Sequence, residues 1–178
     1  MGCLPTFSNP ANPYYGIRRY PYSTDMTKNP LTFKDIDPSQ FDNCASDAPF
    51  SPLFLARFGP CSSTDASEPH NIGEVWCVTL WEARRNLINY WGYSVGNPTM
   101  LELVTDGMML CPPNPNFIQA RDAIIQAVAV NSNCFENWGL VWAAFSNRGM
   151  GPSASAPASN LASPVGQSFD PAPPAACL

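Results

Sequence analysis

Hydrophobic positions follow two regimes along the chain, changing near His70. Before it, short aromatic pieces are broken by prolines; after it, apolar residues recur at helical spacing. Ile72, Val75, Trp76, Thr79, Leu80, Ala83 and Leu87 share one face of a helix, so residues 70–93 read as the start and body of one amphipathic helix. Asn71 and Glu74 have the spacing of a capping box, in which two side chains satisfy backbone N–H groups that the first turn leaves free. His70 then stands just ahead of the cap. A second helix is expected to open at Asn97-Pro98-Thr99, with Pro98 in the first turn, where its missing N–H costs nothing. Met100, Leu101, Leu103, Val104, Met108 and Leu110 supply its apolar content, and the run Pro112-Pro113-Asn114-Pro115 ends it. A third helix is predicted from about Asn116 to Val130, with Phe117, Ala120, Ile124, Ile125 and Val128 on one face. Arg121 and Asp122 interrupt that face and are expected to form local ion pairs or caps. A fourth helix covers about Phe135 to Asn147, with Gly149 as its C-terminal cap.

The fold class is therefore mainly α. A small bundle of about four helices occupies residues 70–149. It is flanked by an irregular N-terminal segment (1–16), a loop-rich segment (17–69) and an extended Pro/Ala/Ser tail (150–178). The 20 prolines concentrate before residue 70 and after residue 150, where they forbid long regular structure. Tyr20, Tyr22 and Phe33, in the loop-rich part, are expected to seal the helical core. A bundle of roughly 80 residues buries only about 60 % of its unfolded surface. A partner lobe or disulfides would add the stability it lacks.

Charge and cysteine content narrow the function classes. A net charge of −5 without any basic run opposes nucleic-acid binding. No apolar stretch reaches the length of a membrane span, and the N-terminus lacks the apolar core of a secretory signal. Seven cysteines leave at least one thiol unpaired within the chain. Cys111 with Cys134 is the favoured pair, and Cys44 with Cys61 would close a loop-rich stretch. Cys77 inside the first long helix reads as a small packed residue. With a single histidine and no Cys-x-x-Cys, the common Cys/His zinc sets are excluded.

Three stretches, in this order, resemble one family. They are Gly16-Ile17-Arg18-Arg19-Tyr20-Pro21-Tyr22-Ser23-Thr24-Asp25-Met26 with Asn29-Pro30-Leu31-Thr32; His70-Asn71-Ile72-Gly73-Glu74-Val75-Trp76; and Asn114-Pro115-Asn116-Phe117-Ile118-Gln119-Ala120-Arg121-Asp122-Ala123 with Trp142-Ala143-Ala144-Phe145 and Arg148-Gly149-Met150-Gly151. The family is the fungalysin-type zinc metalloendopeptidases of the thermolysin-like group. The likeness covers about residues 16–151 and resembles the helical C-terminal lobe of the peptidase domain.

The resemblance implies an extracellular protein that acts on peptide or protein substrates once a zinc-bearing lobe completes it. In that group zinc is held by His-Glu-x-x-His on a helix and a glutamate further along, and the first glutamate activates water. A chain with one histidine does not contain that motif, and no match to the third-ligand glutamate precedes Ile17. No metal or cofactor is therefore expected in this chain, although zinc serves the complete family enzyme. Alone it should not hydrolyse peptides. His70 corresponds in the resemblance to the histidine that donates a hydrogen bond to the oxyanion as water attacks the peptide carbonyl. Asp65, five residues earlier, has the spacing of the aspartate that orients it, and Glu68 competes for that role. Two other readings stand beside this one: a non-catalytic peptide- or protein-binding module derived from the lobe, and a small cystine-stabilised effector unrelated to peptidases.

Overall fold

The computed structural model describes residues 12–15, 18–40, 51, 63–157 and 164–178. It is mainly helical, with four long helices. After the short helices α1 (Asn12–Tyr15) and α2 (Ser63–Ala66) come α3 (Pro69–Trp91), α4 (Tyr93–Leu110), α5 (Phe117–Val130) and α6 (Cys134–Asn147). The long helices pack as a ring: α3 on α4, α4 on α5, α5 on α6, and α6 back on α3. Val75, Val78, Leu87, Leu103, Val128, Val141 and Phe145 fill the interior. That is the bundle the apolar periodicity predicts, with α5 and α6 starting within a residue of their expected positions. Asn116 caps α5 and exchanges hydrogen bonds with Gln119, a capping box that closes its first turn. Gly149 (φ +79°) ends α6 in the left-handed region, and a Cβ there would meet the Gln167 side chain at 2.7 Å.

Four expectations change. In the N-terminal segment, Asn12–Tyr15 forms a helical turn rather than irregular chain. The second long helix begins at Tyr93, not near Asn97, so Pro98 lies inside it. Gly92 (φ +78°) breaks the chain between α3 and α4, and the new helix starts at once. Its first turns press on the end of α3: a Cβ on Gly96 would come 2.4 Å from the Leu87 carbonyl oxygen. Pro98 withholds a hydrogen bond from Ser94, an exposed residue whose carbonyl water can reach. Tyr20 and Phe33 are buried in the core as expected, but Tyr22 is 40 % exposed.

The fourth change is the disulfide. Cys134 pairs with Cys177, at a Cα–Cα distance of 5.7 Å, and Cys111 and Cys77 are free and half-buried. Cys111 and Cys134 stand at opposite ends of α5, whose 14 residues span about 21 Å. A disulfide tolerates a Cα separation of only about 4.4–6.8 Å. Cys3, Cys44 and Cys61 lie outside the described residues.

The described parts of the Pro/Ala/Ser tail, residues 150–157 and 164–178, are extended but docked. Ser155 and Gly166 exchange backbone hydrogen bonds at 2.9 Å. The Trp138 indole donates to the Pro173 carbonyl (2.9 Å), and the Ser146 hydroxyl donates to that of Asp170 (2.7 Å). Arg121 makes the expected ion pair with Asp122 and also donates to the Met150 and Gly151 carbonyls at 3.1 and 2.6 Å.

The loop over residues 18–40 is fixed by two buried ion pairs. Arg19 meets Glu74 at 2.7 Å, and Arg148 meets Glu82 at 2.8 Å. Arg148 also donates to the carbonyls of Asn29 (2.7 Å), Leu31 (3.0 Å) and Ser23 (3.2 Å), drawing the loop across the end of α6.

The disulfide closes a stretch of 43 residues that includes the whole tail. Replacing Cys177 with serine should lower unfolding stability in urea by about 2–4 kcal/mol, and reducing agent should do the same to the native chain. No change in the urea midpoint on reduction would show that the tail is held without the bridge.

Candidate functional site

The entrance of α3 carries the candidate site. Glu68 is its N-cap and Pro69 its first residue, so His70 lies inside the first turn rather than ahead of it. The expected Asn71–Glu74 capping box does not form. Glu68 caps instead, its Oε2 accepting the Asn71 backbone N–H at 3.0 Å. Glu74 has turned inward, where Oε1 accepts the backbone N–H of Arg19 (2.7 Å) and Oε2 the Arg19 guanidinium (2.7 Å). The spacing that suggested a cap is met by a buried carboxylate whose partner lies 55 residues away.

The His70 side chain is 81 % exposed. Its Nδ1 lies 2.6 Å from Glu68 Oε1, so one carboxylate serves both the helix cap and the ring. Burial pushes the Glu68 carboxyl up. The hydrogen bonds from the His70 ring and from the Asn71 and His70 N–H groups outweigh burial and hold it below the usual glutamate range. With Nδ1 turned to the carboxylate, Nε2 is the ring nitrogen left for a partner outside the chain. Asp65 belongs to α2, and its backbone carbonyl accepts from the Asn71 side chain at 3.0 Å.

A residue without an assigned role in the sequence stands beside the histidine. Arg18 Nη1 donates to the His70 carbonyl at 3.4 Å, and its Nε donates to the Tyr22 hydroxyl at 3.1 Å. Its neighbour Arg19 anchors it, by donating to Glu74 and to the Asn71 carbonyl (3.1 Å). In a chain with nine lysines and arginines, two of whose arginine pairs are adjacent, the pair Arg18-Arg19 was the available signal. Which of the two turns inward and which stays at the surface depends on Glu74.

The donor set does not suit a zinc ion. Among the described residues no three His, Cys, Asp or Glu side chains converge to hold a metal. Glu74 is committed to Arg19, and Glu68 to His70 and the helix cap. A separate apolar cavity of about 490 Å³ lies between α4 and α5, lined by Trp76, Val104, Met108, Cys111, Pro113 and Ile124. Burial pushes the Cys111 thiol up, which keeps it protonated and apolar in character.

Replacing Glu68 with alanine removes the cap and should destabilise the chain by about 0.5–2 kcal/mol in urea at neutral pH. The folded carboxyl titrates below its unfolded value. Its contribution is therefore present above the ordinary glutamate value of about 4.3 and is lost as the pH falls through the folded value. The gap between variant and native chain should close in acid; a gap independent of pH would contradict the ionised cap.

Residues 6–154 match the family model described as fungalysin metallopeptidase (M36). The chain is similar to extracellular metalloproteinase 2 of Trichophyton tonsurans, 36 % identical over 154 residues, which is 79 % of this chain and 20 % of the relative. It is also similar to extracellular metalloproteinase 1 of Trichophyton equinum, 34 % identical over 169 residues, 88 % of this chain and 21 % of that one. With the extracellular metalloproteinase MEP of Neosartorya fischeri, identity is 35 % over 157 residues, 81 % of this chain and 20 % of that one. The chain thus spans about a fifth of the length of the curated relatives it matches.

Proposed function

The chain belongs to the fungalysin metallopeptidase family, and from that premise we propose that it supplies the helical C-terminal lobe of an extracellular metalloendopeptidase. In this reading His70 is a catalytic residue: its outward Nε2–H donates to the negative oxygen that develops on a peptide carbonyl under attack. Glu68, and Asp65 by the family spacing, are the candidate positioning carboxylates. The observation that carries this reading is the geometry at His70, an exposed imidazole with a carboxylate 2.6 Å from Nδ1. The contact at Nδ1 fixes the ring and leaves Nε2, on the far edge of an exposed imidazole, as the nitrogen that can donate to a substrate oxygen. Donors preorganised in this way act on charge that appears only in the transition state.

The metal that such hydrolysis uses is supplied by residues beyond this donor set, so the chain alone is inactive toward peptides. A second reading, a non-catalytic peptide- or protein-binding module, is favoured by the apolar cavity lined by Trp76, Met108 and Ile124.

Grafting tests the first reading. This chain replaces the matching fifth of the Trichophyton tonsurans metalloproteinase, and casein cleavage is measured. The chimera should be active and chelator-sensitive, and His70→Ala in it should lower kcat by about 10²–10³ with little change in KM. The isolated chain with added zinc should cleave nothing. Chelator-sensitive cleavage by the isolated chain would overturn the inactive-lobe reading. A folded chimera without activity would move the chain to the second reading.

A further inference from the structure

The outward face of α3 carries a second chemistry, about three turns beyond His70. Trp81 is 42 % exposed, and Tyr22 from the loop (40 %) and Tyr93 from α4 (66 %) stand beside it. The Tyr22 and Trp81 rings lie 6.4 Å apart. The Arg84 guanidinium sits between two aromatic faces, 4.9 Å from the Trp81 centroid and 5.8 Å from that of Tyr93. Arg84 Nε donates to Asn97 Oδ1 at 2.8 Å, and Arg85 Nη1 donates to the Thr24 hydroxyl. Both partners are neutral. Among the described residues no carboxylate forms an ion pair with either arginine. Asp25, next to Thr24, is taken by Lys28 (3.6 Å).

Two unneutralised guanidinium groups stand out on a chain of net charge −5. An arginine stacked on aromatic faces keeps its planar N–H edge free for a carboxylate. Arginine, tyrosine and tryptophan are also the side chains that dominate protein interfaces. We propose that the strip of Tyr22, Trp81, Arg84, Arg85 and Tyr93 is a docking surface for an acidic peptide segment. Its carboxylates pair with Arg84 and Arg85, and its apolar or aromatic side chains lie on Trp81 and Tyr93. A nucleic acid meets the opposing charge of the whole chain, whereas an acidic peptide is short enough to see mainly the local cations. The proposal holds whether or not His70 takes part in hydrolysis.

Fluorescence anisotropy of the full chain tests it, with a short labelled peptide of alternating glutamate and tyrosine as probe and its lysine–tyrosine counterpart as control. The acidic peptide should bind, and the lysine peptide should not. Arg84→Gln with Arg85→Gln should weaken binding roughly fivefold or more, as should raising the salt. Trp81→Ala should weaken it separately, and His70→Ala should leave it unchanged. Circular dichroism and thermal melts would confirm that each variant remains folded. Equal binding of both peptides, no binding of either, or no effect of the double arginine change in folded protein would overturn the proposal. So would a native dimer in sedimentation that the arginine changes dissociate, because the occupant would then be a second copy of the chain.

Discussion

Glu74 and Glu82 stand eight residues apart on the buried face of α3, and each meets a guanidinium that is itself fully buried. Arg19 comes from the N-terminal loop and Arg148 from the end of α6. Arg148 then reaches back to three loop carbonyls, and the Phe33 N–H donates to the Arg148 carbonyl at 2.8 Å. The two pairs therefore tie three parts of the chain to one helix face. Buried pairs of this kind stabilise little relative to hydrocarbon of the same shape. Removing one partner is another matter: it strands a buried charge, at about 3–5 kcal/mol. Their effect is to allow one placement of the loop and to penalise the rest.

That placement makes the candidate site. Once Arg19 is drawn inward to Glu74, the preceding residue lies along the first turn of α3, and Arg18 reaches the His70 carbonyl. Tyr22 follows on the same outer surface and meets Trp81. Glu68 contributes from the helix side, capping the turn and holding the imidazole with the same carboxylate. The exposed histidine, Arg18 and the aromatic–cation strip thus depend on the same loop attachment.

Periodicity made the bundle legible. The helix from Phe117 and that from Cys134 follow the apolar spacing, and Gly149 marks the end of α6, because these signals are local. Asn71 and Glu74 misled for the opposite reason. Their spacing fits a cap, but the group that decides Glu74's direction lies 55 residues earlier, at Arg19. Tyr93 starts a helix before Pro98 because Gly92 turns the chain and Gly96 lets the two helices approach, a packing effect invisible in a propensity pattern. Cys177 pairs with Cys134 because the tail crosses α6, and nothing in an Ala/Pro-rich stretch reports that path. His70 was visible as the only histidine, and the family resemblance gave it a role to test; the sequence left Asp65 and Glu68 competing to stand beside it, and the fold puts the Glu68 carboxylate at Nδ1.

Native-state hydrogen exchange of the Arg19 and Tyr20 amides, both bonded to Glu74, tests the loop attachment most directly. In the native chain these amides should be protected to the level of the α3 core around Val75 and Val78, because loop and helix open together. In Glu74→Gln their protection should fall tenfold or more while that of α3 persists, roughly a 1.4 kcal/mol local loss. Rapid exchange of both amides in the native chain, or protection unchanged by the substitution, would contradict the account.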